Sequence, residues 1–331
     1  MLDRRDLTEP TLRWGWDSQI ALVRHTGQDD WNNSIVTRTP VRFNDTRQKN
    51  GIFPVKSDHY DLIKLVQSNG VLIATIDAPP MNVMTIALLQ ELVSLSQEIE
   101  NDDSVRVLLM RSADPDFFIA HFDVTTLLAM PIDPDPEPSA ELGWFHAMCE
   151  RFRTGSTITI AEIDGRVGGG GAELSASFDM RFGATETFML NQMEVPLGIL
   201  PGGSGTQRLP WLVGPGRAAE IVLGGIDVDA CTADAWGWLN RALPAAELPT
   251  FVENLARRIA SMPPTALALA KQSLLNATPD PVPGLLAEAE LFAQTLRTPV
   301  AQNRLAKFLE LGGQTREFEL GIEAVASLFD S

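Results

Sequence analysis

The sequence predicts an α/β fold that ends in a purely helical region, and three observations support this prediction. Apolar strands at residues 71–76 and 105–110 alternate with a segment of helical spacing at 85–100. A third apolar strand begins at Ile158 and runs into four consecutive glycines. From Pro263 onward the chain is helical in pattern throughout. Alternating strands and helices are typical of α/β folds, and the helical tail favours an oligomerisation element, with an intramolecular lid as the alternative.

The elements before the glycine run are separated by clear turn and stop signals. Asn69-Gly70 is typical of a tight hairpin turn. The strand after this turn, at 71–76, ends before Pro79-Pro80. We expect, in order, a strand at 62–66, a strand at 71–76, a helix at 85–100, a strand at 105–110, a loop at 113–120, a helix at 124–130, an acidic proline-rich loop at 131–139 and a helix at 140–153.

The elements after the glycine run are shorter until the helical tail begins. We expect a short helix at 173–178, strands at 179–182 and 187–190, helices at 206–212, 216–223 and 232–237, an apolar segment at 242–243, and helices at 264–276, 285–296, 301–311 and 317–329. Paired strands around each turn fit a wound ββα spiral better than a doubly wound sheet, although periodicity alone leaves both open.

The stretch from Ile158 to Ser177 is the strongest chemical signal in the sequence. A buried strand, a turn without side chains and Glu173 beside it would expose backbone N–H groups at the start of a helix, where partial positive charge accumulates. A flexible linker is disfavoured because both flanks are apolar. The glycine spacing also fits neither a phosphate loop nor a dinucleotide fingerprint. The stretch therefore predicts stabilisation of an anion or oxyanion by backbone amides.

Composition excludes several classes of function. The net charge of -17 disfavours nucleic acid as a partner, since phosphate binding needs clustered lysine and arginine. Two cysteines and four histidines without metal-type spacing predict neither a disulfide framework nor a metal site. We find no apolar run long enough to cross a membrane and no signal-peptide pattern, so a cytoplasmic protein is expected.

Residues 1–57 differ from the rest of the chain. They have no sustained period and many turn residues, yet they contain Trp14, Trp16 and Trp31. Because a free tail rarely carries so many indoles, we expect an arm packed on its own body or on a neighbouring subunit. The predicted organisation is thus an extension at 1–57, an α/β core at 58–260 and a helical region at 261–331.

Over roughly residues 60–290 the sequence resembles the enoyl-CoA hydratase/isomerase family, the crotonase superfamily. IDGRVGGGGAEL resembles the family's glycine-rich motif, and NQMEVPLGILPGGSGTQRL resembles its second conserved loop. IDAPPMNVMT, VRVLLMRSADPDFFIAHFDV and PPTALALAKQSL resemble further family segments in the expected order. The resemblance implies a ββα spiral core with a C-terminal trimerisation region, and hence a homotrimer or a dimer of trimers.

The resemblance also implies the substrate and the residues that act on it. The family binds an acyl thioester of coenzyme A, and no cofactor stays permanently bound. By the family pattern, the backbone N–H groups of Phe122 and Gly170 would form the oxyanion hole, and Glu173 and Glu194 would be the catalytic carboxylates. Taken alone, Glu173 would be a helix N-terminal acid and Glu194 a solvated loop acid. Further pocket candidates are His121, Gly169 and Gly198.

The first oxyanion loop departs from the family pattern. His121 stands where the family usually has glycine, and the bulky Phe122 follows it. His121 is an extra donor or proton carrier in the pocket, or else a side chain turned to solvent. The Phe122 ring would narrow or steer the acyl pocket, and Asp123 would cap the next helix. Basic residues that the family often uses near the coenzyme are also missing from three segments, MNVM, VTTLL and EAVASLF.

Two classes of function remain after this reading. The first is an enzyme that adds water to a 2-enoyl thioester; an isomerase, a C–C bond hydrolase or lyase, or a tailoring enzyme could use the same enolate. The second is a non-catalytic scaffold or carrier-protein partner that keeps the fold. Retention of both glutamates favours the enzyme, whereas the missing basic residues suit the scaffold.

Overall fold

The structure is a computed structural model that describes residues 59–132 and 139–321, together with residues 325 and 329. The predicted arm at 1–57, most of the acidic loop at 131–139 and the end of the last predicted helix lie outside the described residues. Within the described part, strands and helices alternate along the chain. The prediction of an α/β fold is therefore confirmed.

The elements are numbered in chain order. The strands are β1 (Ile63–Ser68), β2 (Val71–Ile76), β3 (Val107–Ser112), β4 (Phe117–Ile119), β5 (Ile158–Ile163), β6 (Arg166–Gly168), β7 (Met180–Ala184), β8 (Met189–Asn191), β9 (Val228–Asp229) and β10 (Arg241–Leu243). The helices are α1 (Ile86–Glu100), α2 (Val124–Ala129), α3 (Trp144–Thr154), α4 (Gly169–Ala176), α5 (Gly205–Val213), α6 (Pro215–Gly224), α7 (Ala230–Trp236), α8 (Leu248–Ala260), α9 (Pro264–Leu275), α10 (Val282–Leu296), α11 (Pro299–Glu310) and α12 (Arg316–Gly321).

The strands form two separate sheets, and from β3 to β8 successive strands of the chain join them in alternation. The larger has the order β1-β2-β3-β5-β7-β10 and the smaller the order β4-β6-β8-β9. In the pairs β3 and β4, β5 and β6, and β7 and β8, the first strand joins the larger sheet and the second joins the smaller one. The chain therefore winds as a repeated strand–strand–helix unit, which is the ββα spiral. The spiral starts from an antiparallel hairpin whose turn residues, Asn69 and Gly70, both have positive φ.

Helices cover the larger sheet, whose central strands are buried along most of their length. On one face α8 packs Val252 and Ala256 against Val107 and Ile160. The other face carries the main core, which includes side chains of α1 and α3. Because parallel strands need apolar cover on both faces, these strands read as continuous apolar runs in the sequence. Each buried valine or leucine contributes about 1.5–3 kcal/mol to this core.

The structure differs from the sequence prediction in a few short elements. Helix α4 begins at Gly169 and not at Glu173, so three of the four glycines belong to its first turn. Strand β4 lies inside the segment predicted as a loop, and β6 and β9 were not predicted. Strands of two or three residues have too little periodicity to detect. Helix α8 was also missed, although its buried residues recur every fourth position, and it ends where the predicted helical region begins.

Candidate active site

A cavity of about 370 Å³ lies between α4, the loop before α2 and the helix α10. Most of its wall is apolar, and its ionisable side chains are His146, Glu173 and Glu194. Both predicted oxyanion residues, Phe122 and Gly170, also line it. The remaining lining residues are Ile86, Leu89, Leu127, Met130, Gly143, Trp144, Phe145, Ile199, Gly202, Gly203, Ala289 and Phe292. An apolar cavity with a few convergent polar groups is the usual form of a small-molecule site.

The glycine run brings the backbone of α4 close to β4. A Cβ atom at Gly168 would clash with the carbonyl oxygen of Ala120, and one at Gly171 would lie 2.6 Å from the carbonyl oxygen of Ile119. Only residues without a side chain permit this approach. Gly170 lies in the first helical turn, where an N–H group has no acceptor within the helix, so its N–H is available to a ligand in the cavity.

The backbone of Phe122 lies beside Gly170. A Cβ atom at Gly170 would be 3.7 Å from the Phe122 nitrogen. Phe122 forms an isolated parallel bridge with Met84, in which the Met84 N–H donates to the His121 carbonyl and the Asp123 N–H donates to the Met84 carbonyl. The N–H of Phe122 takes no part in this bridge. Two backbone donors, from different elements, are thereby brought to one side of the cavity.

Glu173 is held by the start of the next helix. Its Oε1 atom accepts hydrogen bonds from the N–H groups of Gly203 and Gly205, both at 2.8 Å. Burial raises the pKa of Glu173 well above its usual value, and the neighbouring carboxylates Glu194 and Glu288 raise it further. The two N–H donors act in the opposite direction. Glu173 therefore tends to hold a proton while its orientation stays fixed.

Glu194 lies in the loop after β8, against the glycine turn. A Cβ atom at Gly169, whose φ is +43°, would lie 2.9 Å from Glu194 Oε1. The Glu194 Oε2 atom is buried and has no hydrogen-bond partner among the described residues. Burial raises the pKa of Glu194 to about 7, although His121 acts to lower it. A buried carboxyl with a free oxygen and a pKa near neutrality is suited to exchange protons with a ligand.

The structure does not place His121 in the cavity wall. Its side chain is only 3% exposed, so it is not turned to solvent either. It lies behind the wall, with Nδ1 2.8 Å from the Phe122 carbonyl oxygen and Nε2 3.0 Å from Glu319 Oε1. Gly198 is also outside the cavity lining: its φ is +85°, and a Cβ atom there would lie 3.0 Å from the Ala301 Cα.

Sequence reasoning missed two side chains at the site, His146 and Glu288. Glu288 is 1% exposed, lies 3.3 Å from His146 Nε2, and accepts hydrogen bonds from the N–H groups of Ser204 and Thr206 at 2.6 and 3.0 Å. From its position on α10, Glu288 thus supplies the hydrogen-bond acceptor for two backbone N–H groups at the start of α5. A signal existed, because Glu288 falls on the apolar stripe of α10 that contains Leu285 and Leu296.

Among the residues that the structure describes, no group of three or more histidine, cysteine, aspartate or glutamate side chains could hold a metal ion. No helix in the described ranges has the length and apolar character that crossing a membrane requires.

Comparisons with known proteins agree on one family. The sequence profile of the family described as enoyl-CoA hydratase/isomerase matches residues 66–317. The chain is 29% identical over 248 residues to the short-chain-enoyl-CoA hydratase of Clostridium acetobutylicum, covering 74% of this chain and 94% of the relative. A solved structure from Streptomyces avermitilis, designated a candidate enoyl-CoA hydratase, is 38% identical with a TM-score of 0.73, covering 81% of this chain and 98% of that one. The enoyl-CoA hydratase of Bacillus anthracis is 27% identical with a TM-score of 0.60, covering 76% and 96%.

Proposed function

The chain belongs to the enoyl-CoA hydratase/isomerase family, and on that premise we propose that it adds water to the double bond of a 2-enoyl thioester of coenzyme A. The observation that carries the proposal is that Glu173 and Glu194 line one cavity with Phe122 and Gly170. A non-catalytic scaffold would have no use for two buried carboxyl groups, because their burial without a full set of partners costs stability.

The two backbone donors would act on the thioester carbonyl. Its oxygen accepts hydrogen bonds from the N–H groups of Phe122 and Gly170. When a nucleophile adds at C3, negative charge develops on this oxygen as the enolate forms. Donors that are already in position stabilise that charge without reorganisation, and the loss of one such donor typically costs about 10² to 10³ in rate.

The two carboxyl groups would handle water and protons. Because neighbouring buried carboxylates resist ionising together, Glu173 and Glu194 would share one proton, and the raised pKa of each carboxyl supports this assignment. The ionised member takes a proton from the water as its oxygen adds to C3. The protonated member delivers its proton to C2, which completes the addition and leaves the pair with one proton again.

The apolar walls indicate where the acyl chain would lie. Phe122, Phe145 and Phe292 line the cavity beside Glu173 and Glu194. The ring of Phe122 thereby supports the expectation that this residue narrows or steers the acyl pocket. Coenzyme A is proposed only as part of the thioester substrate, and no cofactor is proposed to stay permanently bound.

The proposal is tested by product analysis with a panel of enoyl-CoA and acyl-CoA substrates. We expect the 3-hydroxyacyl product, and we expect Glu173→Gln and Glu194→Gln each to lower kcat by about 10³-fold while both variants fold normally. Glu290→Gln, the same change at an exposed position of α10, serves as the control and should be fully active. Isomerised or cleaved products would replace hydration by another reaction of the family. Near-full activity of either active-site variant would overturn the assigned roles.

We also propose that the chain forms a homotrimer or a dimer of trimers in the cytoplasm. Support comes from apolar side chains left exposed on α5 and α9, which include Trp211, Leu269 and Leu274. A groove of about 500 Å³ lies between these two helices. Clustered exposed apolar residues of this kind mark association surfaces. Light scattering after size-exclusion chromatography measures the assembly directly, and a monomer would contradict the proposal.

A further inference from the structure

The C-terminal segment at residues 314–319 contacts the first oxyanion loop, residues 121–124. Gln314 Oε1 accepts a hydrogen bond from the Val124 N–H at 2.5 Å, and Gln314 Nε2 donates to Asp123 Oδ1 at 2.9 Å. Glu319 contacts His121, as described above. The two residues of each contact are separated by 190 to 198 positions along the chain. The loop is therefore held from outside and not only by its own neighbours.

Arg316 holds the residues that precede the same loop in the chain. Its guanidinium donates to Asp114 Oδ1 at 3.1 Å, pairs with Asp116 and donates to the Pro80 carbonyl at 3.1 Å. It also lies 5.4 Å from the centre of the Phe117 ring, in β4. Arg316 and Glu319 belong to the same short helix, α12. Residues on both sides of Phe122 are thus connected to one C-terminal segment, residues 314–319.

The contacts of His121 determine its charge state. Nδ1 faces the Phe122 carbonyl oxygen at 2.8 Å, which can only accept a hydrogen bond. Nε2 faces Glu319 Oε1 at 3.0 Å, and that oxygen also accepts the Gln314 N–H at 2.9 Å. A neutral imidazole has one donor nitrogen, whereas an imidazolium has two. Two acceptors therefore select the imidazolium paired with the Glu319 carboxylate.

We propose that His121, as an imidazolium paired with Glu319, is a positioning residue that fixes the oxyanion loop and with it the Phe122 donor. The proposal rests on the proposed function for its kinetic consequence. It does not make His121 a catalytic residue, because its ring does not line the cavity. The pair links α12 to the loop at residues 121–124.

The charges around His121 fit this role. Burial acts to lower the pKa of His121, but Glu319 on α12, the Phe122 carbonyl oxygen and Glu194 together raise it above the ordinary value. The pKa of Glu319 is held below its usual value in spite of burial, by His121 first and with help from Arg166. The positive charge of His121 also favours the ionised form of Glu194. Loss of that charge would therefore disturb the carboxyl pair as well as the loop.

The charge state can be measured without substrate. The chain has four histidines, so ¹⁵N spectra of the histidine-labelled protein are simple, and His121→Gln assigns the signal. At about pH 7.5, above the ordinary histidine pKa of ~6.5, we expect both ring nitrogens of His121 to be protonated, because each of them faces a hydrogen-bond acceptor. A neutral His121 would overturn the ion pair whatever the enzyme catalyses.

The positioning role can be measured in two further ways. In Glu319→Gln and His121→Gln we expect hydrogen exchange at the Met84 and Asp123 amides to rise about 10-fold, because these N–H groups bond across the loop. We also expect kcat to fall about 10-fold with little change in KM, since a misplaced donor loses transition-state stabilisation. In a plot of kcat against pH, the acid and alkaline limbs should both move to higher pH when the positive charge of His121 is lost. A role limited to stability would lower Tm without moving the profile.

Glu317→Gln is the matched control, because Glu317 is exposed on the same helix. It should leave hydrogen exchange, kcat and the pH profile unchanged. Unchanged exchange and kcat in both Glu319→Gln and His121→Gln would overturn the proposal. If the wild-type protein hydrates no thioester while its loop still depends on Glu319, the proposed function fails and the positioning by the ion pair stands.

Discussion

The backbone segments around the two proposed oxyanion donors, Gly170 and Phe122, are built in different ways. On the Gly170 side, the backbone of α4 packs directly on β4, with Gly171 in close contact with Ile119. On the Phe122 side, side chains from the C-terminal segment, Gln314 and Glu319, hold the loop by hydrogen bonds. One donor is fixed by backbone packing and the other by distant side chains.

This difference shows where the site can vary. Backbone packing at the glycine turn has no room for another atom, so almost any substitution there moves the donor. Hydrogen bonds from side chains can be exchanged for other side chains of suitable shape. The loop at 121–124 can therefore hold the bulky, ionisable His121, because α12 supplies a partner for it.

The largest effect should come from the glycine side. Gly171→Ala places a Cβ atom 2.6 Å from the Ile119 carbonyl oxygen, so α4 must shift away from β4. We expect kcat to fall by more than about 10²-fold, because Gly170 moves with the helix. Steady-state kinetics and a melting curve measure the two consequences.

Gly216→Ala is the control for this prediction, since a Cβ atom there meets nothing within 4 Å. It lies in α6 and should raise stability slightly, as alanine usually does in a helix. Full activity of Gly171→Ala would show that the glycine turn is less constrained than its contacts indicate.

An intermediate effect should come from the loop side. Gln314→Ala removes the acceptor of the Val124 N–H and the donor to Asp123. Because His121 and Glu319 remain, we expect kcat to fall only about 3- to 10-fold. Gln302→Ala, which removes a hydrogen bond to the Leu296 carbonyl within the C-terminal helices, should lower Tm without lowering kcat. Equal loss of kcat in both variants would mean that Gln314 acts through general stability alone.

The smallest expected effect is a pH-dependent change in the stability of the folded protein, and it concerns Glu194. Folding raises the pKa of this carboxyl to about 7, so the folded state binds its proton more tightly than the unfolded state does. Its contribution to stability is complete below the unfolded pKa of about 4.5 and is lost as pH rises through about 7. Glu194→Gln cannot ionise and avoids this loss.

Melting curves at several pH values measure this contribution. Near about pH 5 the variant and the wild type should melt at similar temperatures, and by about pH 8.5 the variant should melt a few degrees higher. A constant difference across this range would contradict the raised pKa. A higher Tm with lost hydration would show that the site gives up stability for activity.

Most of the fold was predictable because its elements carry strong periodicity. The hairpin at Asn69-Gly70 and the strand at Val71–Ile76 appear as predicted, since turn chemistry and apolar runs are local properties. The short strands β4, β6 and β9 were not predicted, because two or three residues gain their conformation from the neighbouring strands. The predicted start of α4 was wrong because glycine has low helix propensity, which tertiary packing overrides here.

By itself the sequence determined the α/β spiral and identified Glu173, Glu194, Phe122 and Gly170 as candidates through ordered motifs. Only the tertiary structure decided the environment of those groups, because burial, pKa and hydrogen bonding depend on residues far away along the chain. It brought Glu288 to the start of α5 and turned His121 away from the cavity toward Glu319. A contact across 198 residues leaves no local pattern in the sequence, so the charge of His121 could not be predicted from the sequence alone.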